Sequence, residues 1–244
     1  MGVPKRLFFD IETSFCIFWG WRTGYNINIS ASNILHHAKI ICIGYKWEGE
    51  RKVHCIEWDK SQGDRGMLRE FIKVANEADE IIFHNGDKFD LPWVRTRCLL
   101  HGIDMFPDYR TTDTVKIARS KFNFPDNKLK TIAEYLGLQT KKRTTEDLWK
   151  NIVLDKSESA MVKMKAYCKQ DVKVLESVYK ELSKHITSKV HHGVLMGHDR
   201  GSCPHCGGLD LVKRRIVATQ TGLLKRVFSC NGCNRYHTKT VKER

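Results

Sequence analysis

The chain has no apolar run approaching the roughly 18–20 residues that a membrane-spanning helix requires, and its first residues lack the charged-then-apolar pattern of a secretory signal. Both absences point to a soluble, intracellular protein with no membrane partner. So compact a chain suits the cytoplasm of a bacterial or phage-infected cell. No internal repeat or low-complexity tract is visible, and the nine cysteines are an odd number, which argues against a secreted disulfide scaffold. Acidic residues are also in deficit, 28 against 42 Lys and Arg, for a net charge of +14. A protein this basic tends to hold a polyanion, most often nucleic acid. The excess is uneven, because residues 185–244 carry eleven Lys or Arg against three Asp or Glu.

What is present begins with Arg6–Thr13, RLFFDIET. In an extended strand side chains alternate faces, so Leu7, Phe9 and Ile11 point one way while Phe8, Asp10 and Glu12 point the other. The stretch reads as a buried central strand, in which two unpartnered carboxylates would cost several kcal/mol each. A bound cation removes that cost. The alternative is a strand that ends at Asp10 in a solvated turn.

Further along, 14–37 reads as an ordered insertion containing Phe15, Phe18, Trp19, Trp21 and Tyr25. Lys39–Trp47 and Lys52–Trp58 are strand-like and joined by Glu48-Gly49-Glu50, which predicts a hairpin. Helical spacing marks Met67–Ala78, and Glu80–His84 returns to a short strand. Helices are expected over Asp90–His101, stopping at Gly102, and over Asp113–Ser120 and Leu129–Leu136, followed by the basic loop Lys141-Lys142-Arg143. The long helix runs from about Ser157 to His185, with Met161, Met164, Cys168, Asp171, Leu175, Val178 and Leu182 forming one amphipathic seam. Asp171 interrupts that apolar stripe, one turn after Tyr167. A metal shared with Asp10 and Glu12 would explain it, as would a salt bridge to a nearby Lys. The order of elements indicates an α/β domain with a mixed sheet over 1–186, a linker over 187–200 and a separate module over 201–244.

In that module, Cys203-Pro-His-Cys206 and Cys230-Asn-Gly-Cys233 form two C-x-x-C knuckles, the spacing by which four thiolates close a tetrahedral, structural Zn²⁺ site. Strand-like Leu209–Val217 and Leu223–Phe228 around Thr221-Gly222 make it resemble a zinc ribbon, a small β module built on a long hairpin. Lys213, Arg214 and Arg215, with Lys225, Arg226 and Arg235, form a basic face able to track phosphates. A redox pair in place of the zinc, and a solvated or protein-docking face in place of the phosphate track, are the alternatives.

Three dispersed elements share one pattern: Asp10-Ile11-Glu12, then Asn85 with Phe89-Asp90, then Tyr167 with Asp171. In these the sequence resembles the DEDD (DnaQ-like) 3′–5′ exonuclease superfamily, tyrosine subtype, recognised by D-x-E, N-x-x-x-F-D and Y-x-x-x-D in this order. The resemblance covers about 5–185 and implies an RNase H-like mixed sheet flanked by helices. It further implies that Asp10, Glu12, Asp90 and Asp171 hold two Mg²⁺ or Mn²⁺ ions, suited to hard oxygen ligands with open positions. Tyr167 would orient the attacking water, and Asn85 and Phe89 would pack and position substrate together with Lys141 and Lys142. Asp90 precedes Leu91-Pro92 and also reads as an ordinary N-cap. Asp113 reads as a helix cap and His84 as structural. The aromatic insertion replaces the short Gly-containing turn that many relatives carry after D-x-E-T, so its rings either stack on terminal bases or pack in the core.

The expected activity is removal of nucleoside monophosphates from single-stranded or frayed DNA 3′ ends, in trans to a separate DNA polymerase or replication protein, as proofreading or repair. Trimming of RNA 3′ ends is the first alternative, and a non-catalytic nucleic-acid-binding adaptor the second.

Overall fold

The computed structural model describes residues 5–139, 147–186 and 188–241. Lys141 and Lys142 lie outside them. The chain forms β1 (Arg6–Thr13), β2 (Ile17–Phe18), β3 (Ile34–His36), β4 (Ile40–Trp47), β5 (His54–Glu57), α1 (Arg65–Ala75), β6 (Glu80–Phe83), α2 (Asp90–His101), β7 (Thr111–Asp113), α3 (Thr114–Lys121), α4 (Leu129–Tyr135), α5 (Asp147–Val153), α6 (Glu158–Leu182), α7 (His192–Leu195), β8 (Leu211–Ala218), β9 (Leu224–Cys230) and β10 (Tyr236–Thr240).

Five strands make one mixed sheet in the order β5-β4-β1-β6-β7. β1 is central, antiparallel to β4 and parallel to β6. Such a strand must be covered on both faces, and the alternation read from RLFFDIET divides its side chains between two cores. Leu7, Phe9 and Ile11 join Met67, Phe71 and Ile72 of α1 and Leu91 and Val94 of α2. Phe8, on the opposite face, packs with Val172, Leu175 and Tyr179 of α6. The result is an α/β sandwich with α1 and α2 on one side and α6 on the other, flanked by α5 near Ile41 and Cys42 and by α3 and α4 near Val174 and Val178.

Two devices fix how helices sit on this sheet. Asp64 is fully buried and accepts a bidentate pair of hydrogen bonds from Arg97 (2.7 and 2.8 Å), bonds to His101 Nε2 (2.7 Å) and accepts from Ile40 N (3.3 Å), tying α2 to the start of β4. The second is a gap. A Cβ on Gly44 would lie 2.8 Å from Cys168 Sγ and 3.1 Å from Val172 Cγ2, so α6 descends onto β4 only because that position is glycine. A buried Lys46–Glu176 ion pair holds the same two elements together further along.

Most expected elements are present with shifts of one to three residues. Asp113 caps α3, accepting from Val115 N (3.0 Å), and Ser157 caps α6, accepting from Ala160 N (3.3 Å). Gly102 and Gly137 take the left-handed conformation that ends α2 and follows α4. Six elements were not anticipated: β2, β3, β7, α5, α7 and β10. The aromatic insertion is an ordered β2–β3 ribbon, but Trp21 (89%) and Tyr25 (100%) are exposed, and Phe18 and Trp19 nearly half so. Core packing therefore does not account for these rings.

The stretch expected as a linker is anchored. α7 buries His192, whose Nε2 lies 3.4 Å from Glu80 at the head of β6. Glu80 also meets Arg6 Nε (2.9 Å) and Thr112 Oγ1 (2.6 Å), and Arg6 continues to the His205 carbonyl (3.1 Å) inside the first cysteine knuckle. Burial works against the Glu80 carboxylate, but hydrogen bonds from His192 and Thr112 and the Arg6 charge outweigh it and hold its pKa at about 2.

Candidate functional site

The site forms where β1 ends beneath α6 and beside α2. Asp10 stands opposite Gly44 across the β1–β4 ladder, and Glu12 opposite Cys42. With no side chain at Gly44, Cys168 of α6 drops onto the sheet, its Sγ 3.6 Å from the Asp10 carbonyl. One ligand atom from each of Asp10, Glu12 and Cys168 lies within 4.8 Å of the others. Tyr167 and Asp171 lie within one turn of Cys168 on the same helix, but the group of mutually close ligand atoms holds Asp10, Glu12 and Cys168 and includes neither Asp171 nor Asp90. Asp171 is buried, as its place in the apolar seam required.

Asp90 arrives from the other side. It opens α2, and its Oδ1 accepts from Ile11 N (3.1 Å), the amide between Asp10 and Glu12. It is therefore a bridge from α2 to β1, and the N-cap position itself is Phe89, which makes no side-chain cap bond. Burial pushes the Asp90 carboxyl up to about 7. The bond from Ile11 N opposes that rise, and the nearby Asp113 carboxylate adds to it. A carboxyl held this way keeps its proton to near neutrality, and a cation bound beside it would displace that proton to solvent.

The loop before Asp90 is built for a sharp reversal. Asn85 adopts positive φ (66°), and a Cβ on Gly86 would fall 2.1 Å from the Phe83 ring, so only glycine follows it. Asp113 accepts from Asn85 N (2.8 Å) and so supports this loop as well as capping α3. His84 bonds Thr114 Oγ1 (2.8 Å) and the Asn127 carbonyl (2.9 Å), a structural role. Phe89 is exposed beside Trp93, their rings 6.3 Å apart.

Tyr167 has a partner that sequence reasoning missed. The Trp149 ring of α5 meets it edge-on, centroids 6.1 Å apart at 77°. The Trp149-containing helix has seven residues, too few for periodicity to register.

At the other end, the sulfurs of Cys203, Cys206, Cys230 and Cys233 all lie within 4.8 Å of one another, with Cys203–Cys233 at 3.8 Å and Cys206–Cys230 at 3.6 Å. Thiolates tetrahedral about Zn²⁺ at about 2.3 Å sit about 3.8 Å apart, so the four cysteines fit that ion. The first knuckle precedes β8 and the second spans the end of β9 and the turn to β10, in a three-strand sheet of order β10-β9-β8. Lys213, Arg214 and Arg215 are exposed on β8 at a bulge between Lys213 and Ile216, and Arg214 Nε donates to Ser229 Oγ (3.0 Å).

The fold and the convergence of carboxylates at the end of a central strand define a nuclease-type α/β domain. The chain belongs to the RNase_H superfamily, whose model matches residues 31–183. That segment contains Asp90, Tyr167 and Asp171 and begins after Asp10 and Glu12. No curated protein matches the chain. Among solved structures it is similar in fold to the family B DNA polymerase from the hyperthermophilic archaeon Pyrobaculum calidifontis, with a TM-score of 0.57 at 16% identity, covering 74% of this chain and 25% of the polymerase. The chain thus matches about a quarter of that polymerase's length. No described helix is long and apolar enough to cross a membrane.

Proposed function

We propose that the protein is a 3′–5′ exonuclease that hydrolyses the terminal phosphodiester of a single-stranded or frayed DNA end. The observation that supports this reading is the Asp10–Glu12 pair at the end of β1, with Asp90 of α2 accepting from the Ile11 amide between them and α6, the helix that carries Tyr167 and Asp171, approaching the pair through Cys168. Asp10, Glu12, Asp90 and Asp171 are the donors for two Mg²⁺ or Mn²⁺ ions, all hard oxygens. Such a pair supplies water activation, orientation of the phosphate and stabilisation of the leaving 3′ oxygen.

The chain's own residues do the rest. Tyr167, steadied by Trp149, holds the attacking water by a hydrogen bond; an ordinary phenol is protonated at neutral pH and serves for position, not as a base. Asp90 exchanges its proton for a cation as the site fills. Asn85 and Phe89 shape the loop over which the terminal nucleotide lies, and the exposed Trp19, Trp21 and Phe18 offer faces on which bases stack. In the C-terminal module Cys203, Cys206, Cys230 and Cys233 hold a structural Zn²⁺, and Lys213, Arg214 and Arg215 follow the phosphates of the incoming strand. The polymerase likeness suits a role in trans to a replication enzyme, removing a misincorporated 3′ end.

The test is digestion of matched 5′-labelled single-stranded DNA and RNA oligonucleotides in Mg²⁺ or Mn²⁺. A ladder shortening from the 3′ end of DNA is expected, with a loss of at least about 10³-fold in Asp10→Ala, which removes a donor shared by both ions. Preferential shortening of RNA would make the enzyme an exoribonuclease. Intact substrate with unimpaired binding would make the protein an adaptor.

A further inference from the structure

Three of the five cysteines outside the C-terminal knuckles converge on one point. Cys42 of β4, Cys55 of β5 and Cys168 of α6 place their sulfurs within 4.8 Å of one another. They come from three separate elements, and each is brought there by a feature already described. Cys55 lies opposite Gly44 in the β4–β5 ladder, so Cys42, two residues before Gly44, shares its face of the sheet. The missing side chain at Gly44 opens the space into which Cys168 descends. The Cys55 thiol donates to the Ile56 carbonyl (3.9 Å) and the Cys168 thiol to the Asp10 carbonyl (3.6 Å). Cys42 and Cys168 are fully buried, while Cys55, on the edge strand, is only half-buried and gives the cluster a way in. Lys165 and Lys169 of α6 place positive charge near Cys55, which would offset the net negative charge of three thiolates around a divalent ion.

We propose that Cys42, Cys55 and Cys168 form a second metal site, one that takes a thiophilic cation of the Zn²⁺ or Cd²⁺ class with three sulfur ligands and an exogenous fourth. Binding releases the thiol protons to solvent, and no electron transfer is involved. Sulfur selects this class of ion over the hard Mg²⁺ and Mn²⁺ suited to the carboxylates nearby. The site has a consequence that rests on the nuclease reading. Cys168 Sγ is within 4.8 Å of ligand atoms of both Asp10 and Glu12 and next in sequence to Tyr167. Drawing that sulfur onto a cation shifts the turn of α6 that carries Tyr167, so occupancy depresses cleavage.

The test is Cd²⁺ titration of the full chain in excess Mg²⁺, following the thiolate-to-metal charge-transfer band that carboxylates do not give. With four ribbon sulfurs and three cluster sulfurs, the wild type should reach the amplitude of seven thiolates and two Cd²⁺ per chain. Cys55→Ser, at the half-exposed edge position, should lose one Cd²⁺ and the amplitude of three thiolates; Cys42→Ala should match it. The deciding quantity is the difference between wild type and Cys55→Ser, so ribbon occupancy does not enter. Equal Cd²⁺ content and band amplitude in the two proteins overturns the site. So does a disulfide between any two of the three cysteines in the protein as purified, shown by thiol counting, which would make the cluster a redox pair. If a nuclease assay is available, Cd²⁺ should inhibit the wild type at least tenfold more strongly than Cys55→Ser. Absence of any nuclease activity leaves the metal count to decide the site and refutes only the nuclease reading.

Discussion

The two ends of this molecule solve the problem of folding in different ways. From β1 to α6 the chain buries aromatic and branched side chains on both faces of a central sheet: Phe8, Phe9, Phe71 and Phe83 are all but inaccessible. Beyond residue 200 the apolar residues that become buried are Cys203 and Cys230, while Leu209, Leu223, Leu224 and Ile216 remain exposed. A hydrophobic core can therefore support the carboxylate site, whereas the three-strand module must be held by its thiols. The same contrast sorts the chemistry, with oxygen donors at the end of a well-packed strand and sulfur donors where packing is thin.

The sharpest way to break the comparison is to remove the metal that the knuckles fit. A structural Zn²⁺ contributes on the order of 10 kcal/mol or more to a module of this kind. Chelation, or Cys206→Ser, should unfold β8–β10 while leaving the main thermal transition of the α/β domain in place, shifted by loss of the Arg6 bond to the His205 carbonyl and of the Arg235 bond to Ser183 Oγ. Hydrogen exchange resolved along the chain checks this. Equal protection of β8–β10 with and without chelator would show that packing suffices there.

The next effect belongs to the α/β domain and runs with pH. Asp90 has its carboxyl raised to about 7 from an ordinary 3.8 in the cation-free protein. The folded state therefore keeps a proton that the unfolded chain releases, so the stabilisation is full below about pH 4 and is lost as pH rises through 7, amounting to about 4 kcal/mol. Urea unfolding without added divalent cation should show this decline, Asp90→Asn should flatten it, and Mg²⁺ or Mn²⁺ should offset it above pH 7 through binding to the folded state. A stability profile identical in the wild type and Asp90→Asn would remove Asp90 from the buried cluster.

How much of this could be read beforehand follows from what is local. The alternation in RLFFDIET, the seam of α6 and the two C-x-x-C pairs are periodic or closely spaced, and each appears where the spacing put it. The pairing of Asp90 with Ile11 N was not legible, since an Asp at the start of a helix before Leu-Pro satisfies local capping rules equally well, and only the packing of α2 against β1 decides between them. β7 has three residues and α5 seven, too short for periodicity to register. Whether the β2–β3 aromatics stack on a partner or pack in the core could not be decided beforehand, because nothing in the sequence records which face of a two-strand ribbon is covered. Gly44 was the one missed local signal: a glycine among β-branched residues marks close backbone approach, and here it seats the helix that completes the site.

Trp149 is the smallest lever, and it isolates how far the site depends on that seating. Its ring meets Tyr167 edge-on from α5, an aromatic contact worth about 1 kcal/mol beyond area. Trp149→Ala removes the lateral support of Tyr167 and leaves every carboxylate of the site in place, although it also thins the cluster in which Cys42 and Cys168 pack. If Tyr167 acts by holding the attacking water, that loss should lower kcat about tenfold with little change in KM, because positioning of the water matters to the reaction and not to binding of the strand. Tyr167→Phe should lose more, and the double variant no more than Tyr167→Phe alone, since Trp149 acts only through the phenol. A Trp149→Ala defect that adds in full to that of Tyr167→Phe would show that α5 supports the site by another route.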